Sequence, residues 1–315
     1  MKDSARDRYP GYVPLSYRAL LRARKVYRQT MTRLQERLAA RHAIPLTEEL
    51  LGLVTDGAVP NPVGAINKCV RWMEEDLARP DIKAIADQLV ALKAELTQRG
   101  LRFTNTAGNF LARQYHPEHE RGKLWENAWT IRHAGVQAGE AVLDVGGAST
   151  IFSFYLASLG CRIEVVDNDW SNCGTIFNAN YVAKQMGWRL RAWDRDVSRP
   201  LPFAETTFDR VFSICVLEHL PSSVRQFLMQ EVGRVLKPGG RVGLTFDYDV
   251  TRPVLVTDRG LRYASRTKLE RDVIEPSGLR VIGNMDWIDA CPKEGFMGSL
   301  FLEQPAGSPA GFTRP

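Results

Sequence analysis

The sequence has no apolar run approaching the roughly 18 residues that span a bilayer. Its opening stretch, Met1-Lys2-Asp3-Ser4-Ala5-Arg6-Asp7-Arg8, lacks the hydrophobic core of a secretory leader. Cysteine is scarce. Cys69, Cys161, Cys173, Cys215 and Cys291 are scattered, odd in number and without a Cys-x-x-Cys pair, which argues against a disulfide framework or a thiolate zinc site. Internal repeats and low-complexity tracts are also missing. The expectation is a cytoplasmic protein with reduced thiols and no membrane span.

What is present is ordinary in bulk. At 315 residues, with 44% hydrophobic and 25% charged side chains, the chain can form two compact units or one domain with a large extension. Its net charge of +6 is localised, because residues 1–50 hold eleven basic and five acidic side chains. Between Leu15 and Arg41, Leu20, Leu21, Tyr27, Met31, Leu34 and Leu38 recur at helical spacing beside the arginines. An amphipathic helix with an arginine-rich solvent face accounts for this; a basic arm for RNA or an acidic partner is the other reading. Pro60-Asn61-Pro62-Val63-Gly64 marks a loop, and Ala65 through Leu77 and Ile82 through Thr97 read as two further helices ended by Arg99-Gly100. His116, His119 and Glu120 suggest a metal only weakly, since Pro117 breaks the helix that would align the imidazoles. No metal is expected. Trp125 and Trp129, four apart, read as one packed helix face.

The most informative stretch is Ala141-Val142-Leu143-Asp144-Val145-Gly146-Gly147-Ala148-Ser149-Thr150. It reads as a buried parallel strand, a small-residue turn and a helix starting near Ser149, capped by Ser149 or Thr150. Such a turn aims free backbone N–H groups at a ligand. Arg162-Ile163-Glu164-Val165-Val166 forms a second strand ending at Asp167, about 20 residues after the glycines, where a carboxylate accepts from ribose hydroxyls. A dinucleotide fits poorly, because Ala148 and Ile151 replace two glycines of Gly-x-Gly-x-x-Gly. Downstream, a helix at 171–186, strands at 189–193 and 209–215, a helix at 222–236 and a strand at 241–247 continue the alternation. A helix from Ser265 to Glu275 and strands at Leu279–Ile288 and 297–303 complete it. Alternating strands and helices predict an α/β doubly wound sheet with ligands at the carboxyl ends of its strands.

With these segments goes a family resemblance. Arg195-Asp196-Val197, Leu201-Pro202-Phe203, Phe208-Asp209-Arg210-Val211, the run Phe212 to Leu220, and Leu236-Lys237-Pro238-Gly239-Gly240 follow the glycine turn in order. In this the chain resembles the class I S-adenosylmethionine-dependent methyltransferases over residues 141–247. It departs from their Asp-x-Gly-x-Gly-x-Gly motif at Ala148 and Thr150. The resemblance implies a Rossmann-like seven-stranded sheet, six strands parallel and the last antiparallel and inserted beside strand six, with an N-terminal helical extension. With the helical pattern upstream and the Pro/Gly-rich end, this divides the chain into a helical region 1–110 (lid or dimer contact by analogy), a linker helix over the cofactor 111–140, a cofactor-binding domain 141–304 and a tail 305–315 expected to be disordered.

The resemblance also implies roles. Gly146, Gly147 and Ala148 give close approach to S-adenosyl-L-methionine, Asp144 orients their loop, and Asp167 binds the ribose, with Asn168, Asp169 or Trp170 beside the adenine. Asp196 and Val197 flank the adenine, and Cys215 and Val216 the methionine end. Tyr115 and His116 are candidates for acceptor contact. His219 is the candidate base, with Glu218 beside it to orient the imidazole or bind a cationic acceptor; the other reading is that Glu218-His219-Leu220-Pro221 caps the next helix. Cys215 reads as a packing residue, since nothing basic precedes it closely in sequence. The function expected is methyl transfer to O, N or C of a small-molecule acceptor, because no RNA-binding module is recognisable. RNA or protein methylation through the basic N-terminal helix and a non-enzymatic scaffold are the alternatives.

Overall fold

The computed structural model describes residues 64–68, 73–104, 117–168, 174–248, 269–286 and 296–306. The basic helix expected between Leu15 and Arg41, most of the tail, and Tyr115, His116, Asp169 and Trp170 lie outside the described residues. The body is a seven-stranded sheet built from β2 (Ala141–Val145), β3 (Arg162–Asp167), β4 (Leu190–Asp194), β5 (Phe208–Ile214), β6 (Leu236–Tyr248), β7 (Arg280–Val281) and β9 (Phe296–Glu303). Its order is β4-β3-β2-β5-β6-β9-β7, parallel from β4 to β6, with β9 antiparallel to both its neighbours. The strand order reverses between β2 and β5, which opens a crevice at their carboxyl ends.

Alternation along the strands loads both faces. Val142, Ile163, Val165 and Phe212 face one buried cluster, and Leu143, Val145, Val211 and Val242 face the other. Helix α4 (Ile151–Ser158) is buried from Ile151 to Ala157, so it needs cover on every side. Helix α2 (Pro80–Gln98) supplies part of it: Ile82, Ala86, Leu89, Leu92 and Leu96 share a cluster with Phe152 and Phe154, and Tyr155 Oη donates to Gln88 Oε1. Helix α3 (Pro117–Ala134) lies over the same face, with Trp125 and Trp129 stacked 5.4 Å apart. Their indole N–H groups reach Asp76 Oδ2, on α1 (Met73–Ala78), and Ile66 O, at 2.9 and 3.1 Å. Neither is left unpaired in the core. Helix α5 (Thr175–Met186) completes this layer, and α6 (Ser222–Val235) covers the other face through Leu228, Met229, Val232 and Val235.

Two expectations are corrected at the edge of the sheet. The helix read from Ala65 to Leu77 is instead a short strand β1 (Asn67–Lys68) followed, further on, by α1. The strand read from Leu279 to Ile288 is broken: β7 joins the main sheet, while β8 (Met285–Asp286) pairs in parallel with β1. Gly283, with φ 71°, lies in the break. Asn67 joins the pieces, its amide donating to Ile282 O (2.7 Å) and Asn284 O (3.2 Å) while its oxygen accepts from Phe301 N (2.7 Å). Of the helix read from Ser265 to Glu275, the described part is Leu269, a π-helical turn at Glu270–Ile274 and α7 (Glu275–Ser277). Asp272 in that turn pairs with Arg225 at 2.6 Å, both side chains buried. Among the described residues no helix is long and apolar enough to cross a membrane.

Candidate functional site

The glycine turn sits in the crevice between β2 and β5. Gly146 has φ 86°, a conformation that disfavours any side chain, and donates its N–H to Val166 O at 2.8 Å. A Cβ here would also overlap Val216, whose Cγ1 would be 3.1 Å away and Cγ2 closer. At Gly147 the obstacle is different. A Cβ would overlap the Asp144 carboxylate, with even its farther oxygen only 2.7 Å away. Ser149 also has a left-handed backbone, φ 66°, so the helix begins at Ile151 rather than at 149, with Thr150 as its cap. Ser149 is held there by its hydroxyl donating to Thr175 O (2.6 Å) and accepting from the Asn178 amide (3.0 Å). Thr104 runs alongside, its N–H on Ser149 O at 2.7 Å and its carbonyl taking Ile151 N–H at 3.0 Å.

Two carboxylates converge beneath this turn. Asp144 is 1% exposed; Oδ2 accepts from the Ser153 hydroxyl, while Oδ1 has no hydrogen-bond partner. Burial pushes its pKa up to about 7, against the Ser153 hydrogen bond and with the help of the nearby Asp167 charge. Asp167, at the tip of β3, accepts from Ala148 N (3.1 Å) and Asn168 N (2.6 Å). Burial raises its pKa to about 6 in spite of those two bonds, and Asp194 adds a like charge. A carboxylate has about four acceptor positions, so Asp167 retains capacity for further donors. Asp196 and Val197 follow β4 in an exposed turn, where Asp196 Oδ1 accepts from Ser198 N at 2.9 Å.

At the end of β5, Cys215 has φ 52°, a conformation that costs a non-glycine residue about 1–2 kcal/mol. Its N–H donates to Thr245 O (3.0 Å) and lies 3.2 Å from Thr245 Oγ1. The thiol is 2.6 Å from Glu126 Oε1, and Glu126 Oε2 is 2.6 Å from Lys123 Nζ. The sequence offered no basic group close to Cys215 along the chain. Charged groups do reach its neighbourhood from α3: Glu126 lies 89 residues upstream of Cys215, and Lys123 three residues before Glu126. Burial alone would lower the Lys123 pKa, but Glu126 and then Cys215 outweigh it and hold the ammonium well above its ordinary value.

Glu218 and His219 occupy a 3-10 turn, Leu217–His219. The Glu218 side chain is buried and that of His219 about half exposed, with His219 Nε2 4.0 Å from Glu218 Oε1, beyond hydrogen-bond reach. Neither side chain caps α6, whose N-cap is Pro221 with no side-chain bond. Instead Arg225 donates to Leu220 O and, through its Asp272 pair, ties this turn to the π-helical turn. Other residues of the downstream motifs turn out to be scaffolding. Asp209 accepts from Ala141 N (2.9 Å) and Lys237 Nζ (2.8 Å) at the opposite end of the sheet, and Arg234 holds the Leu201 and Phe203 carbonyls.

Residues 142–240, about a third of the chain, match a family model described as a methyltransferase domain. Sterol 24-C-methyltransferase of Pneumocystis carinii is 35% identical over 114 residues, covering 34% of this chain and 28% of that protein. Demethylmenaquinone methyltransferase of Tropheryma whipplei is 31% identical over 118 residues, covering 38% and 46%. The chain thus spans between about a quarter and a half of these curated relatives' lengths. Among solved structures, the [4+2]-cyclase SpnF superposes with a TM-score of 0.49 at 17% identity, over 72% of this chain and 97% of that one. A SAM-dependent methyltransferase from Aquifex aeolicus gives 0.42 at 15% identity, over 56% and 88%. Residues 142–240, on this strand order and glycine turn, are thus similar to the methyltransferase domain of S-adenosylmethionine-dependent methyltransferases.

Proposed function

We propose that the chain is an enzyme that transfers the methyl group of S-adenosylmethionine to an O, N or C atom of a small-molecule acceptor. The observation that carries this reading is the convergence of Asp144 and Asp167 on the glycine turn at the reversal point of the sheet. The residues present fit the cofactor. Gly146 and Gly147 let the turn pack directly against Val216 and Asp144, Asp167 keeps acceptor capacity for ribose hydroxyls, and two buried carboxylates suit a cation. Asn168, Asp196 and Val197 would flank the adenine and Cys215 the methionine end. The two relatives named above are, by name, methyltransferases of a sterol and of demethylmenaquinone, which favours a small acceptor here as well.

Bound S-adenosylmethionine supplies a methyl group already activated on a positively charged sulfur. The protein's part is to position the partners, exclude water and accept a proton from an O–H or N–H acceptor. His219 is the proposed acceptor of that proton. It follows β5 and lies partly open to solvent. Glu218, Tyr115 and His116 are proposed to contact the acceptor.

Asp167→Ala should weaken binding of S-adenosylhomocysteine by about a hundredfold, the loss of two hydrogen bonds to a charged group. Calorimetric titration measures it, and unchanged affinity would remove Asp167 from the site. His219→Ala should lower kcat by about 10²–10⁴-fold on an acceptor found by thermal-shift screening, with S-adenosylhomocysteine affinity kept. Equal turnover would assign the proton to another group.

A further inference from the structure

We propose that Lys123 and Glu126 on α3 are positioning residues for the turn after β5, acting on the cofactor site through Cys215. The inference rests on the cofactor reading of that turn. Both residues precede the segment that matches the methyltransferase domain, so no family motif assigns them.

Their placement is otherwise hard to account for. Lys123 and Glu126 are 4% and 0% exposed, on a helix face shared with neighbours three apart. A buried ion pair seldom stabilises a fold more than apolar side chains of the same volume would. What this pair does that apolar residues cannot is present a carboxylate oxygen, fixed by the Lys123 ammonium, to the Cys215 thiol at 2.6 Å. Cys215 is thereby gripped from two sides, its N–H by Thr245 on β6 and its side chain by Glu126 on α3. The grip falls on a residue whose left-handed backbone would otherwise relax. That backbone sets the next residue: Val216 lies against Gly146 so closely that a single added methyl would not fit. Leu217, Glu218 and His219 continue from there as one 3-10 turn. The α3 pair therefore fixes the wall of the glycine turn and the starting point of the proposed base.

The experiment is a mutant cycle on the full chain, read by calorimetric titration of S-adenosylhomocysteine. Lys123→Met with Glu126→Leu replaces the pair by apolar side chains and keeps the interior packed, so the variant should melt within a few degrees of the wild type. Its affinity should fall by at least about tenfold. In a Cys215→Gly background, where the left-handed turn needs no support, the same pair replacement should cost no more than about twofold. Alkylation of Cys215 by iodoacetamide, followed by peptide mass, should be at least several times faster in the pair variant. Wild-type affinity in the pair variant, or equal losses in both backgrounds, would overturn the positioning role. Failure of the wild-type chain to bind S-adenosylhomocysteine would instead overturn the cofactor reading itself, and this inference with it.

Discussion

Gly147→Ala will destabilise the protein by about 2–4 kcal/mol, at the upper end of what overpacking a core costs, and will remove most of its affinity for S-adenosylhomocysteine. The backbone at Gly147 is not in the left-handed region, so alanine suffers no conformational penalty there. The cost arises below. The new methyl overlaps Oδ2, Cγ and Oδ1 of Asp144, and that carboxylate is enclosed, with the Ser153 hydroxyl on one oxygen. It can neither rotate away without losing Ser153 nor reach water without opening α4 from the sheet. The turn must therefore rise, and the N–H of Ala148 leaves the Asp167 carboxylate it now meets at 3.1 Å. Asp144→Ala in the same chain removes all three offending atoms. The double variant should regain at least half of the lost stability in urea titrations while its cofactor affinity stays low. A Gly147→Ala protein as stable as the wild type would show that Asp144 does not fill the space beneath the turn.

The contrast between Asp144 and Lys123–Glu126 explains what could be read from the chain. Strand, turn, helix and second strand lie within 27 residues between Ala141 and Asp167, and each has a local signal: apolar runs, paired glycines, a capping threonine. The topology followed, because strands alternating with helices admit few arrangements. The partner of Cys215 had no such signal. Thiol and carboxylate are brought together by α3 crossing the sheet, and a search along the sequence for a nearby base finds nothing. Only the presence of Lys123 and Glu126 beside two buried tryptophans hinted that the polar side of α3 faces inward. The β1–β8 pairing was equally hidden. It joins two-residue strands more than 200 positions apart, and it depends on the one side-chain amide of Asn67 rather than on any periodic pattern. In the opposite direction, Asp209 and Lys237 belong to segments that resemble functional motifs, yet they hold the amino end of the sheet together.

Asp144→Asn should stabilise the protein without ligand, and by an amount that grows with pH. Burial raises the Asp144 pKa from 3.8 to about 7. Below about pH 4 the carboxyl is neutral in both folded and unfolded chains, and its burial carries no charge penalty. Between about 4 and 7 the unfolded chain gives up the proton and the folded chain retains it, so stability falls as pH rises. Above about 7 the carboxylate is charged in both states and the loss is complete. Three pH units correspond to at most about 4 kcal/mol, and partial opening of the turn to water would reduce that. Asparagine keeps an acceptor for Ser153 and has no charge to bury, so the variant lacks this slope. The difference in Tm between variant and wild type should be small at pH 4.5 and several degrees in the variant's favour at pH 8. Asp167, raised to about 6 for the same reason, adds a loss of the same sign to both proteins and cancels in the comparison. Removing the Asp144 charge also relieves its repulsion of Asp167, which enlarges the gap slightly. A Tm difference independent of pH would mean that Asp144 is solvated or already paired in the folded state. A saturating cation at the site should shrink the gap at pH 8, since it favours the charged carboxylate that only the wild type can offer.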